Sequence, residues 1–162
     1  MINLRWNITY TLDGEHFELR LPKFSLEKII NAKRDAVYDL LSNYENYQEL
    51  LPNYFPSVRI RSVRDNISVV EEHMNLGDNE LIIMAKHVKN PPVMHEIFII
   101  GGDLKGSYIK QQFLSISEKT KIIVDVDLKL NVKNKVSELF GKNNFERDYK
   151  KILESFTKIL DN

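Results

Sequence analysis

Apolar and polar side chains alternate over most of the chain. Leu4, Trp6, Ile8 and Tyr10 alternate with polar residues, Asp13-Gly14 marks a tight turn, and Phe17, Leu19 and Leu21 alternate on the return. This predicts a β-hairpin that ends at Pro22. A further strand is expected from Ser25 to Ala32. The period then changes. Val37, Tyr38, Leu40 and Leu41 have helical spacing with Asp35 in the first turn, and Tyr44, Tyr47, Leu50 and Leu51 continue it to Pro52. Asn43 is expected to break this stretch into two short helices.

Strand-like segments rich in Ile, Val and Phe follow near 57–63, 67–76, 80–89, 93–100, 106–116 and 120–132. Turn signals separate them: Asp65-Asn66, Gly77-Asp78-Asn79, Asn90-Pro91-Pro92, Gly101-Gly102-Asp103 and Glu118-Lys119. Connections this short join antiparallel neighbours, so the segment is a meander. The chain then changes period again. Phe145, Tyr149, Ile152, Phe156, Ile159 and Leu160 make one apolar helical stripe, with Glu146, Lys150, Glu154 and Lys158 on another face. Asn143 with Glu146 resembles a capping box, and Gly141 separates the helix from a turn containing Val136, Leu139 and Phe140. A long meander with one late amphipathic helix must bury its apolar face against that helix. The expected fold is therefore α+β: a curved antiparallel sheet wrapped around a long C-terminal helix, with two short helices after the first strand.

Composition narrows the function. A length of 162 residues suits one domain, and 43% hydrophobic with 28% charged residues is ordinary for a globular protein. A net charge of zero argues against nucleic acid as a partner. With no cysteine, disulfides, thiolate nucleophiles and Cys-ligated zinc are excluded, which fits a reducing cytoplasm. Met1 to Asn7 lacks the apolar core of a signal peptide, and the apolar run Ile97 to Ile100 is too short to span a bilayer. A cytoplasmic protein is expected, as a monomer or weak homodimer. The Trp6/Tyr10 hairpin reads as an edge strand in preference to a transient membrane or partner contact.

Strand alternation assigns the inner face. In the last strand Ile122, Val124, Val126, Leu128 and Leu130 share one side, opposite Asp125, Asp127 and Lys129. A turn at Glu118-Lys119 pairs Phe113 with Val124, Gln111 with Val126 and Ile109 with Leu128. A turn centred on Asp103 sets Ile97 beside Ile109 and His95 beside Gln111. A turn centred on Pro91 sets His87 beside His95, and Lys86 opposite Glu96 on the outer face. His87, His95 and Gln111 then form a polar row across an apolar face, of the kind that orients a bound ligand. One strand earlier, either Glu71 and His73 or Glu72 and Met74 face inward. His73, His87 and His95 lack any tight ligand spacing, so no metal and no other cofactor is expected. Gly101 to Ser107 leads into a strand and not a helix, so it is a hairpin turn and not a phosphate loop.

The segment Ile30-Asn31-Ala32, Ala36-Val37-Tyr38, Leu40-Leu41, Asn43-Tyr44, Tyr47 and Leu51-Pro52, together with Lys105-Gly106-Ser107 and Thr120, resembles the START-like, helix-grip (SRPBCC) superfamily. That superfamily includes polyketide cyclases and coenzyme Q-binding proteins. The likeness covers roughly residues 25–160. It makes residues 1–24 a hairpin extension on a helix-grip domain spanning 25–162. It also implies a cavity between sheet and long helix for an apolar ligand.

The expected function is binding or carriage of a hydrophobic molecule such as a lipid, isoprenoid or quinone. His87, His95 and Gln111 would hold its polar end. Ile97, Ile109, Phe113, Val124, Val126, Tyr149 and Phe156 would form the walls. Tyr149 adds a hydroxyl that needs a partner when buried. The alternatives are a cyclase or dehydratase using His87 or His95 as general base, and a protein-interaction module whose interior is filled by side chains. The non-enzymatic binder is preferred.

Overall fold

The structure is a computed structural model that describes residues 18–20, 23–131 and 144–161. Short strand β1 (Glu18–Arg20) precedes β2 (Phe24–Ile30). Next come helix α1 (Arg34–Ser42), a 3-10 turn (Tyr44–Asn46) and helix α2 (Tyr47–Leu50). Strands β3 (Ser57–Arg64), β4 (Ile67–Leu76), β5 (Asn79–Asn90), β6 (Met94–Gly102), β7 (Tyr108–Ile116), β8 (Lys119–Asp127) and β9 (Lys129–Asn131) follow, and helix α3 (Asn144–Leu160) closes the chain. The expected break at Asn43 is present: its φ of −91° and ψ of 74° leave the helical region.

Seven strands form one antiparallel sheet in the order β2-β8-β7-β6-β5-β4-β3. Helix α3 touches both β2 and β4, which lie far apart in that order. A flat sheet could not reach one helix from both positions, so the sheet curls around α3. Bulges between Ile60 and Ser62 and between Met84 and Ala85 add local bend. The α3 stripe is buried at Phe145, Tyr149, Ile152, Leu153 and Phe156. Removing an apolar side chain of this size from water stabilises by about 1.5–3 kcal/mol.

β1 pairs with β9 in a separate two-stranded ribbon, Leu19 opposite Leu130. The rest of the expected N-terminal hairpin lies outside the described residues, as do the Val136–Phe140 turn, Gly141 and the Asn143 cap.

Two hairpin registers differ from expectation by two residues. Gln111 stands opposite Val124, Phe113 opposite Ile122 and Ile109 opposite Val126. The turn there is Ser117-Glu118, with Ser117 at a positive φ of 54°. At the β5–β6 turn, Pro91, Pro92 and Val93 all lie in the loop, between the paired Asn90 and Met94. Proline cannot donate to a ladder, so both prolines are pushed into the turn. His87 therefore faces Ile97, and Lys89 faces His95. The expected Lys86–Glu96 pairing does not form. Lys86 faces Phe98 and lies over its ring at 5.5 Å, and Tyr108 donates a 2.5 Å hydrogen bond to Glu96. A two-residue shift keeps every side chain on its face, so the inner surface survives both corrections. The β6–β7 register matches expectation, with Ile97 opposite Ile109 and His95 opposite Gln111.

Candidate functional site

The inner face of the sheet carries a buried polar chain. β4 contributes Glu72, β5 His87, β6 His95, β7 Gln111 and α3 Tyr149, each less than one-tenth exposed. Glu72 and Met74 point inward, which decides the phase left open by the sequence; Glu71 and His73 point outward to a salt bridge with Arg61 and to each other. His87 and His95 are wholly buried. Although offset by two along the ladder, their rings stack at 5.1 Å and bond Nδ1 to Nε2 at 2.9 Å.

The chain runs without a gap. Glu72 Oε1 lies 2.5 Å from His87 Nε2, His95 Nδ1 lies 3.0 Å from Gln111 Oε1, and Gln111 Nε2 donates to Tyr149 Oη at 3.1 Å. Hydrogen directions follow. Because the Gln111 amide donates to Tyr149, its oxygen accepts, and His95 Nδ1 must carry a hydrogen. Burial holds the His95 pKa down at about 3, with the neighbouring His87 and Lys89 adding to it and the Gln111 hydrogen bond opposing. His95 is therefore neutral, and its Nε2 accepts from His87 Nδ1. One proton is left between His87 Nε2 and Glu72 Oε1.

Aromatic rings fix this geometry. The Tyr44 ring tilts against His87 at 4.5 Å, and its hydroxyl donates to Ser68 Oγ. The Lys89 ammonium covers the Tyr44 ring at 4.4 Å, and burial lowers the Lys89 pKa. Tyr47 packs on Phe55 and Phe156 and donates to the Leu41 carbonyl. Burial raises the Tyr149 pKa to about 12, with the Gln111 bond opposing and the Glu72 charge adding, so the hydroxyl stays protonated.

Between α3 and the sheet is a cavity of about 40 Å³. Leu41, Phe55, Met74, Ile83, Ile99, Leu104, Phe145, Ile152 and Leu153 help to wall it, and Glu72, Gln111 and Tyr149 supply its polar side. Of the wall expected from sequence, Ile97, Ile109, Gln111, Tyr149 and Phe156 line this space. His87, His95, Phe113, Val124 and Val126 are buried but do not line it. The histidines hold the polar chain from behind, and Glu72 stands at the surface they were expected to occupy. Phe145 and Ile152 were visible as members of the α3 stripe. Leu104 was not, because it reaches inward from a turn.

A sheet curled around a C-terminal helix, with a largely apolar cavity and a few converging polar groups between them, defines a helix-grip module for a hydrophobic ligand. Within that class, residues 30–157 match the family described as polyketide cyclase / dehydrase and lipid transport, and the chain belongs to it. No curated protein matches the sequence. Among solved structures, TTHA0849 from Thermus thermophilus is similar at a TM-score of 0.73 and 15% identity, over 85% of this chain and 95% of that one. The Zhui aromatase/cyclase from Streptomyces sp. R1128 gives 0.68 and 13%, over 86% and 93%. A START superfamily protein from Mycobacterium smegmatis gives 0.65 and 12%, over 85% and 93%. At such identities the likeness is one of fold. Among the described residues no helix is long and apolar enough to cross a membrane.

Proposed function

We propose that this protein binds or carries a hydrophobic small molecule, without chemical turnover, in the cavity between α3 and the sheet. The observation that carries this is an interior wall of mostly apolar side chains, interrupted by Glu72, Gln111 and Tyr149, with the Tyr47 hydroxyl turned to the Leu41 carbonyl. Family membership supports it. A lipid, isoprenoid or quinone is the ligand class we favour. At about 40 Å³ the cavity takes a few waters, a small molecule or one end of a larger one. A whole lipid requires α3 and the sheet to part. A cyclase-type enzyme is less well supported, since neither candidate histidine lines the cavity and His95 at about pKa 3 is a poor base at neutral pH. We further propose a cytoplasmic monomer or weak homodimer that binds neither metal nor nucleic acid.

One observation favours a second reading, a protein-interaction module. Ile29 and Leu114 flank Lys121 on the outer face, 61% and 45% exposed, above an interior that is nearly full. Native mass spectrometry of protein purified from its own host, followed by denaturing extraction, decides between them. A stoichiometric apolar molecule released on denaturation supports the carrier. A clean apo mass, with no binding from a panel of lipids and quinones, supports the interaction module.

A further inference from the structure

The polar side of the cavity has a definite chemical character. Glu72 Oε1 is committed to His87, while Oε2 has no hydrogen-bond partner among the described residues. Tyr149 Oη accepts from Gln111, and its own proton has no acceptor among them. The Tyr47 hydroxyl, also on the wall, is spent on the Leu41 carbonyl, so among the described residues the cavity offers one uncommitted acceptor and one uncommitted donor.

Its charge follows from the proton inventory. His95 is neutral, and a single proton lies between Glu72 and His87. That proton makes either a carboxylate–imidazolium pair or a carboxylic acid beside a neutral imidazole, and both sum to zero. No Lys, Arg or His lines the cavity among the described residues. A carboxylate brought in would meet no counter-charge among the described residues and would face the Glu72 oxygen. An ammonium would meet a carboxyl group already matched with its own proton. A charge without a partner in an apolar interior is strongly disfavoured. A hydroxyl, in contrast, can donate to Glu72 Oε2 or accept from Tyr149 without any counter-charge.

Resting on the carrier reading above, we infer that the cavity selects an uncharged ligand whose polar end is a hydroxyl, and rejects carboxylates and amines with the same hydrocarbon part. This names the ligand's polar chemistry, which the family and the fold leave open.

The test uses four probes on the full chain at pH 7, followed by methyl chemical shifts of Ile97, Ile109 and Ile152. Xenon reports the apolar space alone. 1-Butanol, butyrate and n-butylamine share a short chain and differ in head group. The expected result is xenon uptake, with 1-butanol binding at least tenfold more tightly than either charged homologue. Tyr149→Phe should weaken 1-butanol several-fold and leave xenon uptake intact, and a fold check by amide spectra accompanies it. Xenon uptake with less than tenfold preference for 1-butanol overturns this inference and leaves the cavity reading standing. Tight n-butylamine binding would mean that the chain carries a net negative charge, and also overturns it. Failure of xenon to enter overturns both.

Discussion

Glu72 Oε1 and His87 Nε2 lie 2.5 Å apart, with His87 wholly buried and Glu72 only 4% exposed. The two come from adjacent strands, β4 and β5; His87 is sealed from water, and Glu72 is buried except where it borders the small cavity. Each is tolerable there because of the other. Deleting one partner of a buried charged pair costs roughly 3–5 kcal/mol, while replacing both by apolar groups of similar volume is often close to neutral. We expect His87→Leu to destabilise by about that amount and the double variant Glu72→Met/His87→Leu by much less. Urea unfolding of the two single variants and the double variant measures the coupling. Additive losses would mean the pair is not a unit.

Acid should weaken the fold through His95. Its pKa falls from 6.5 to about 3 on folding, so the unfolded chain accepts a proton that the folded chain refuses. The stabilisation is complete above pH 6.5 and is lost progressively as pH falls toward 3, at about 1.4 kcal/mol per pH unit. Urea midpoints at pH 7, 5.5 and 4.5 should decline, and His95→Gln should flatten the decline over that range. Equal slopes for parent and variant would show that His95 does not refuse the proton.

Gln111 joins the sheet to α3, since its amide meets both His95 and Tyr149. Gln111→Leu keeps the volume but leaves a buried N–H and a buried hydroxyl short of partners, so a loss of roughly 1–3 kcal/mol is expected. The same amide fixes His95 as the Nδ1–H tautomer. Imidazole nitrogen shifts read that directly, and an Nε2–H tautomer would require the amide to be turned around.

Gly77 holds the β4–β5 turn against α3. Its φ is +60°, and a Cβ there would lie 2.8 Å from Asp148 Oδ2. Gly77→Ala should therefore cost at least about 1–2 kcal/mol from backbone conformation alone. Thermal unfolding of Gly77→Ala beside Gly77→Ala/Asp148→Ala separates backbone from contact. A full rescue by the second change would place the whole cost in the contact.

Local pattern was enough for the element order and for which side chains face inward. Period-two alternation fixed the inner face at Ile122, Val124 and Val126, and the α3 stripe fixed Phe145, Tyr149, Ile152 and Phe156, because burial imposes those periods on any chain that folds this way. Even the two slipped hairpins kept the inner face, since a slip of two residues preserves parity. What pattern could not reach were quantities set across elements. The β5–β6 register depends on how two prolines share one turn, so His87 meets His95 on a diagonal. The inward phase of β4, which brings Glu72 to His87, depends on its ladder with β5, where Glu72 faces Ile83 and Ser68 faces His87. The depth of the cavity depends on how closely α3 approaches the curled sheet, and side chains such as Leu104 reach it from turns that carry no periodicity. The sequence by itself determined a sheet gripping a helix around an apolar interior with histidines on its inner face and Tyr149 on the helix wall; only tertiary packing decided that Glu72, and not the histidines, borders the cavity, because facing inward is a property of one strand whereas meeting empty space is a property of all the elements together.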